Sequence, residues 1–300
     1  MKYFLFLISI LLISIFPQFS YAQSCVSPPS DMISWWPGDG NANDIVDSND
    51  GVLENGASIV AGKVDSAFSF DGADDQVRVP HNANQNPGAK MTVDAWINPD
   101  VISHGQTIIN KRTGANLADG GFTFETTLDS VFGPGNGLQF GIGTTVTGVA
   151  LIGTGGNVLT SGVFQHVAAT YDGSMMRIYV DGAEVASGAA SGDIKPISPD
   201  LVIGRNSVIP SFDFDGIIDE VELFDRALSA SEIQAIFNAG SAGKCKTPNE
   251  PPTVIGGEII PIETTSLLLA GAQSTTWMIP VVLSIVGIGM FVVSRKSETS

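Results

Sequence analysis

Between Ile33 and Phe224 the chain is a succession of short apolar or β-branched runs broken by Gly, Asp and Asn, and that rhythm confines it to an all-β fold. The runs cover residues 67–70, 76–79, 91–97, 107–110, 122–127, 138–142, 167–171, 175–180, 201–203 and 217–224. Each has the length of a strand, and their close spacing predicts a sandwich of antiparallel sheets. Asp172-Gly173 and Asp181-Gly182 fall between runs and read as type I′ hairpin turns, because both central residues there need positive φ. They would tie three strands into a meander. One segment alone reads as helical, residues 230–238, with Ser229 and Glu232 as a capping box and Gly240 as its stop.

Composition agrees with this reading and narrows the partners. Glycine outnumbers Lys plus Arg by 34 to 14, as a turn-rich chain requires. The 31 acidic residues leave a formal charge of −17, which makes nucleic acid and anionic lipid poor partners. Divalent cations suit such a surface; so does plain solubility.

Both ends carry apolar runs. Lys2, the apolar stretch 4–16 and a small-residue cleavage position near Ala22 make a secretory signal over residues 1–22. Residues 277–293 form a second run, bounded by Trp277 and by Arg295 and Lys296, that spans about 26 Å as a helix. The expected order is therefore signal peptide (1–22), ectodomain (23–245), Pro-containing linker (246–276), transmembrane helix (277–293) and cytoplasmic tail (294–300). That order describes a single-pass cell-membrane protein with an extracellular ectodomain. The rival for the tail is a sorting signal that is cut and exchanged for another anchor.

The only two cysteines, Cys25 and Cys245, bracket the ectodomain, so a single pairing is open to them in an oxidising compartment. In the chain-entropy account such a bridge stabilises by roughly 4–5 kcal/mol. No Asn-x-Ser/Thr sequon is present.

Several contiguous stretches resemble a known family: Phe70-Asp71-Gly72 followed by Val77-Arg78-Val79-Pro80, Met91-Thr92-Val93-Asp94-Ala95-Trp96-Ile97, and His166-Val167-Ala168-Ala169-Thr170-Tyr171-Asp172-Gly173. Further matches are Ile178-Tyr179-Val180-Asp181-Gly182, Ile203-Gly204-Arg205, and Phe214-Asp215-Gly216-Ile217-Ile218-Asp219-Glu220-Val221-Glu222 with Arg226-Ala227-Leu228-Ser229. Together they resemble a LamG-like jelly roll of the concanavalin A-like group. The resemblance implies two facing antiparallel sheets, one short C-terminal helix, and a role in binding sugars, proteins or calcium, with glycan cleavage in some members. Fold alone does not choose among these.

Strict alternation over 217–224 would place Asp219 with Ile217, Val221 and Leu223, and Glu220 with Glu222 on the opposite face. A carboxylate among apolar neighbours needs a cation or several donors. The resemblance suggests Ca²⁺, held by Asp219 with Asp39 and Asn41 of the acidic segment 39–51; a turn-capping role for Asp219 is the alternative. That segment lacks the glycine, the final Glu and the helices of an EF-hand. Asp71, Asp74 and Asp75 form a second acidic group, read as a turn. Adjacent Trp35 and Trp36 should point to opposite faces, leaving one free to stack on a sugar.

Catalysis is not expected. The spaced carboxylate triplet of glycosidases on this fold is absent, and Glu220 and Glu222 read as solvated sheet-face charges. His81, His104 and His166 lack metal spacing. The expectation is a cell-surface, membrane-anchored binding module for a glycan or surface protein, with loops 113–121 and 146–160 as candidate contact regions. A glycan hydrolase and a purely structural envelope protein are the alternatives.

Overall fold

The computed structural model describes residues 24–246 apart from 104, 115, 128–131, 133–135, 207, 210 and 211. The expected signal peptide, the transmembrane helix and all of the linker beyond Lys246 lie outside the described residues. Among the described residues no helix is long and apolar enough to cross a membrane.

Two antiparallel sheets face one another. Strands β1 (Met32–Trp36), β2 (Val52–Glu54), β3 (Ser58–Ala61), β4 (Ser66–Asp71), β5 (Gln76–Val79), β6 (Met91–Pro99), β7 (Thr107–Lys111) and β8 (Phe122–Thr126) form the first half of the chain. The second half supplies β9 (Leu138–Gly143), β10 (Val149–Gly153), β11 (Gln165–Tyr171), β12 (Met175–Val180), β13 (Ala183–Ala189), β14 (Leu201–Ile203), β15 (Asp215–Phe224) and the helix α1 (Ala230–Ala239). One sheet runs β13-β12-β11-β6-β15-β4-β3, and β1 pairs with the C-terminal half of β15 where β4 has ended. The other runs β10-β9-β8-β7-β14-β5-β2. Inward-facing residues such as Trp36, Phe68, Phe122, Phe124, Phe140 and Tyr171 fill the space between them, and each large ring removes apolar area from water at about 25 cal/mol per Å².

The meander β11-β12-β13 is present. Only its second turn has both central residues at positive φ, Asp181 at 49° and Gly182 at 80°. The first departs from expectation. Asp172 keeps negative φ and its Oδ1 accepts from the backbone of Ser174 and Met175, so the connection is a longer Asp-capped loop.

Helix α1 starts at Ser229, whose hydroxyl accepts from Glu232 N while the Glu232 carboxylate accepts from Ser229 N. The helix lays Ile233 and Ile236 on the outer face of the first sheet against Ala168, Tyr179 and Phe224. The ends of the domain meet: Cys25 and Cys245 form a disulfide, and Val26 N donates to Gly243 O.

One break in periodicity decides where the acids go. Glu220 sits at φ 54°, and the β15–β6 register slips between Asp219 and Glu222. Such a bulge places two residues opposite one and reverses the side-chain alternation beyond it. Ile218, Val221 and Leu223 therefore share the core, whereas Asp219, Glu222 and Phe224 leave it. The expected grouping of Asp219 with Val221 and Leu223 is incorrect for this reason.

Candidate functional site

Two polar constructions stand out, one on the outer face of each sheet. The first is an open cleft of about 380 Å³ over β5 and β14, lined by Gln76, Arg78, Pro199, Asp200, Val202, Arg205, Asn206 and Val208. Alternation on β5 sends Val77 and Val79 into the core and turns Gln76 and Arg78 outward. Val202 does the same on β14, directly across from Arg78.

The lining side chains are held in place. Arg78 Nε lies 2.7 Å from Glu54 Oε1 and its NH1 lies 3.1 Å from Asp200 Oδ2, while Gln76 donates to the other Glu54 oxygen at 2.6 Å. The Arg78 contact holds Glu54 below its ordinary pKa. Arg205 pairs with Asp213 at 3.2 Å and donates to Asp74 O. Lys111, fully buried, donates to Pro199 O at 2.5 Å and to Gln85 Oε1 at 3.2 Å, and burial lowers its pKa to about 8. It thereby pins the turn that carries Asp200.

Asn206 ties the cleft to a buried network. Its Nδ2 donates at 3.4 Å to both Thr107 Oγ1 and Glu125 Oε2, and its Oδ1 accepts from Val208 N and Ile209 N. Glu125 also accepts from Gln139 at 2.6 Å, Thr123 at 3.1 Å and Thr107 at 3.2 Å, and burial raises its pKa. The sequence reading missed this cleft. Its signal was the outward parity of Gln76, Arg78, Thr123 and Glu125, but which strands adjoin was not visible.

The second construction covers the outer face of β15, β6 and β1. Glu220 and Glu222 were expected to be solvated; they are 1% and 0% exposed. Lys244 Nζ contacts Glu222 Oε1 at 2.6 Å, and Lys246 Nζ contacts Glu220 Oε1 at 2.9 Å and the Asp39 carboxylate. Trp35 Nε1 donates to Glu220 Oε2 at 2.9 Å, and the Lys244 ammonium lies 5.4 Å from the Trp35 ring centroid. His166 Nε2 lies 3.1 Å from Asp94 Oδ2 on neighbouring strands. Burial raises the Glu222 pKa well above normal, and the nearby Asp94 charge adds to the shift. Burial disfavours the Lys244 ammonium, yet the charges of Glu222, Asp94 and Glu220 outweigh it and raise its pKa. Trp35 and Trp36 do point to opposite faces, but both are buried, Trp36 in the core and Trp35 over this cluster. Neither offers a stacking surface.

The proposed calcium ligands are placed as follows. Asp219, 0% exposed, accepts through Oδ2 from Lys63 N at 2.7 Å and Val64 N at 2.9 Å, capping the turn between β3 and β4. Asp39 accepts from Ser66 N and pairs with Lys246. Asn41 Oδ1 accepts from Asn43 N within its own loop. Calcium takes six to eight oxygen ligands, and these three residues mostly direct their oxygens to protein donors, so as placed they do not fit the ion. Asp71, Asp74 and Asp75 do bring carboxylate oxygens within 4.8 Å of one another. Within that group Asp71 Oδ1 accepts from Ala73 N and Asp75 Oδ2 from Asp71 N, as a turn requires.

Comparison with known proteins agrees with this architecture. In fold the chain is similar to domain 4 of AbnA, a GH43 extracellular arabinanase from Geobacillus stearothermophilus in complex with arabinotriose, at TM-score 0.54 and 17% identity over 68% of this chain and 97% of that one. It is similar also to the binding domain of Paraclostridial Mosquitocidal Protein 1 (TM-score 0.53, 16% identity, 70% of this chain and 52% of that). The receptor binding domain of botulinum neurotoxin D matches at TM-score 0.51 and 17% identity, over 69% of this chain and 52% of that one. The chain thus spans about half the length of the two toxin binding domains. No curated protein sequence matches it. The family model matches residues 71–234, more than half of the chain and most of the sandwich just described, and the chain belongs to the concanavalin A-like lectin/glucanases superfamily.

Proposed function

We propose that this protein is a cell-surface binding module, held in the membrane by residues 277–293, that recognises a glycan through the cleft over β5 and β14 and does not cleave it. The observation that carries the reading is the array of donors and acceptors in that cleft, locked by the Arg78–Glu54, Arg78–Asp200 and Arg205–Asp213 pairs. Sugar hydroxyls both donate and accept, and paired guanidinium and carboxylate groups held before the ligand arrives meet them without a further ordering cost. The cleft volume falls at the lower end of small-molecule sites, about 300–1,000 Å³.

The arabinanase domain, whose structure contains arabinotriose, lends support to a sugar as ligand. The reading without hydrolysis is supported by the burial of Glu220 and Glu222, each paired with a lysine. A general acid must reach the glycosidic oxygen, and these carboxylates face protein. The apolar runs at both ends of the sequence support surface display.

Glycan-array binding of the full-length chain tests the reading. Saturable binding is expected, weakened at least tenfold in Arg78→Met while the fold persists, since partly exposed ion pairs contribute only about 0–1 kcal/mol to stability. Binding that Arg78→Met leaves unchanged would remove the cleft from the argument, and sugar release from the array would replace binding with hydrolysis.

A further inference from the structure

Acids that meet in this domain are commonly joined by one of its own cations. Arg78 stands between Glu54 and Asp200, and Arg177 between Asp172 and Glu184. The turn between β4 and β5 differs. Its Asp71, Asp74 and Asp75 bring their carboxylate oxygens together, and no ion pair among the described residues includes any of the three. Arg205 meets this turn at a backbone carbonyl, Asp74 O, and carries its charge to Asp213.

We propose that the β4–β5 turn is a calcium site, with Asp71, Asp74 and Asp75 as its carboxylate ligands. Asp75 carries the argument. It is 4% exposed, and its Oδ1 is buried with no hydrogen-bond donor among the described residues. Its Oδ2 accepts from Asp71 N at 3.0 Å, which turns the carboxylate toward Asp71. Burial raises the Asp75 pKa, and the charges of Asp71 and Asp74 add to the shift. A buried anionic oxygen beside two further carboxylates lacks a positive partner, and a hard divalent ion supplies one. Asp71 and Asp74 are exposed, so an ion can enter and water can complete its shell. The turn is already set at its backbone, because Asp74 O accepts from Asn55 Nδ2 at 2.7 Å and from Arg205 at 3.2 Å. Calcium tolerates the irregular geometry of such a turn better than magnesium does. The position is separate from Asp39 and Asp219. Those residues meet Ser66 and the β3–β4 turn at the start of β4, whereas Asp71 ends that strand, roughly 16 Å further along. The inference is independent of the glycan reading.

Titration calorimetry of the full-length chain with calcium alone tests it. Wild type should bind one ion saturably with a Kd of about 0.1–1 mM, the range of extracellular modules. Asp74→Asn, at an exposed position that leaves the fold intact, should weaken binding by about tenfold or more. Asp75→Asn should abolish it, and Asp219→Asn should leave the Kd unchanged. Wild type without saturable binding would overturn the proposal. So would a Kd that Asp74→Asn does not move, or binding that disappears in Asp219→Asn.

Discussion

Lys244 Nζ and Glu222 Oε1 lie 2.6 Å apart with side chains 2% and 0% exposed, an ion pair removed from water on the outer face of the long strand β15. Desolvating two charges is costly, and the pair persists because each supplies the other's compensation. Breaking it on one side leaves the other charge buried and alone. Lys244→Met or Glu222→Leu should each lower stability by about 3–5 kcal/mol. The double variant should recover a large part of that loss, which urea denaturation of all four proteins would measure as a coupling energy.

The Cys25–Cys245 bridge closes a loop with a sequence separation of 220 residues. Chain entropy assigns such a closure about 5 kcal/mol. Here the bridge also anchors Lys244 and Lys246, so its removal should cost more than the loop alone. Cys25→Ser/Cys245→Ser is expected to lose at least as much as Lys244→Met, measured by chemical denaturation under identical conditions.

Asp219 gives stability a pH dependence of definite sign. Burial, with the neighbouring Glu220 charge, raises its pKa from 3.8 to about 8. The folded protein therefore retains a proton that the unfolded chain has released across that window. The stability it contributes is complete below the unfolded pKa and is lost as pH rises through about 8. Asp219→Asn keeps an uncharged side chain at every pH. It should match wild type near pH 4 and exceed it near pH 8, with a flatter plot of melting temperature against pH; equal slopes would refute the assignment.

Asp181 occupies the first central position of the β12–β13 turn at φ 49° and accepts from His166 N at 3.0 Å. Alanine there loses the hydrogen bond and keeps the backbone strain. Asp181→Ala should cost about 2 kcal/mol. Asp181→Asn, which tolerates the left-handed region and still accepts, should cost well under half of that in the same denaturation assay.

Much of the fold was legible because its signals are local. Strand-length runs, the Asp181-Gly182 turn and the Ser229–Glu232 capping box depend on residues within a few positions of one another, and all appear in the structure. The lone pair of cysteines left one partner for each, and they are bonded. The candidate site was not legible in the same way. Gln76, Arg78, Asp200 and Asn206 meet only because β14 lies between β5 and β7, an adjacency that no nearby residue encodes. The bulge at Glu220 likewise left no mark on the sequence pattern, and it parted Asp219 from Val221 and Leu223, with which strict alternation had grouped it.

The sequence by itself determined the class of fold, the meander, the helix and the cystine, because strand period, turn chemistry and capping act over short separations. Tertiary structure alone decided that Lys244 and Lys246 stand among the acids of β15, β6 and the N-terminal segment, where a metal ion had been expected. The reason is electrostatic and geometric together: a buried carboxylate accepts whichever cation the closed chain brings within contact distance, and only the finished sandwich specifies which one arrives.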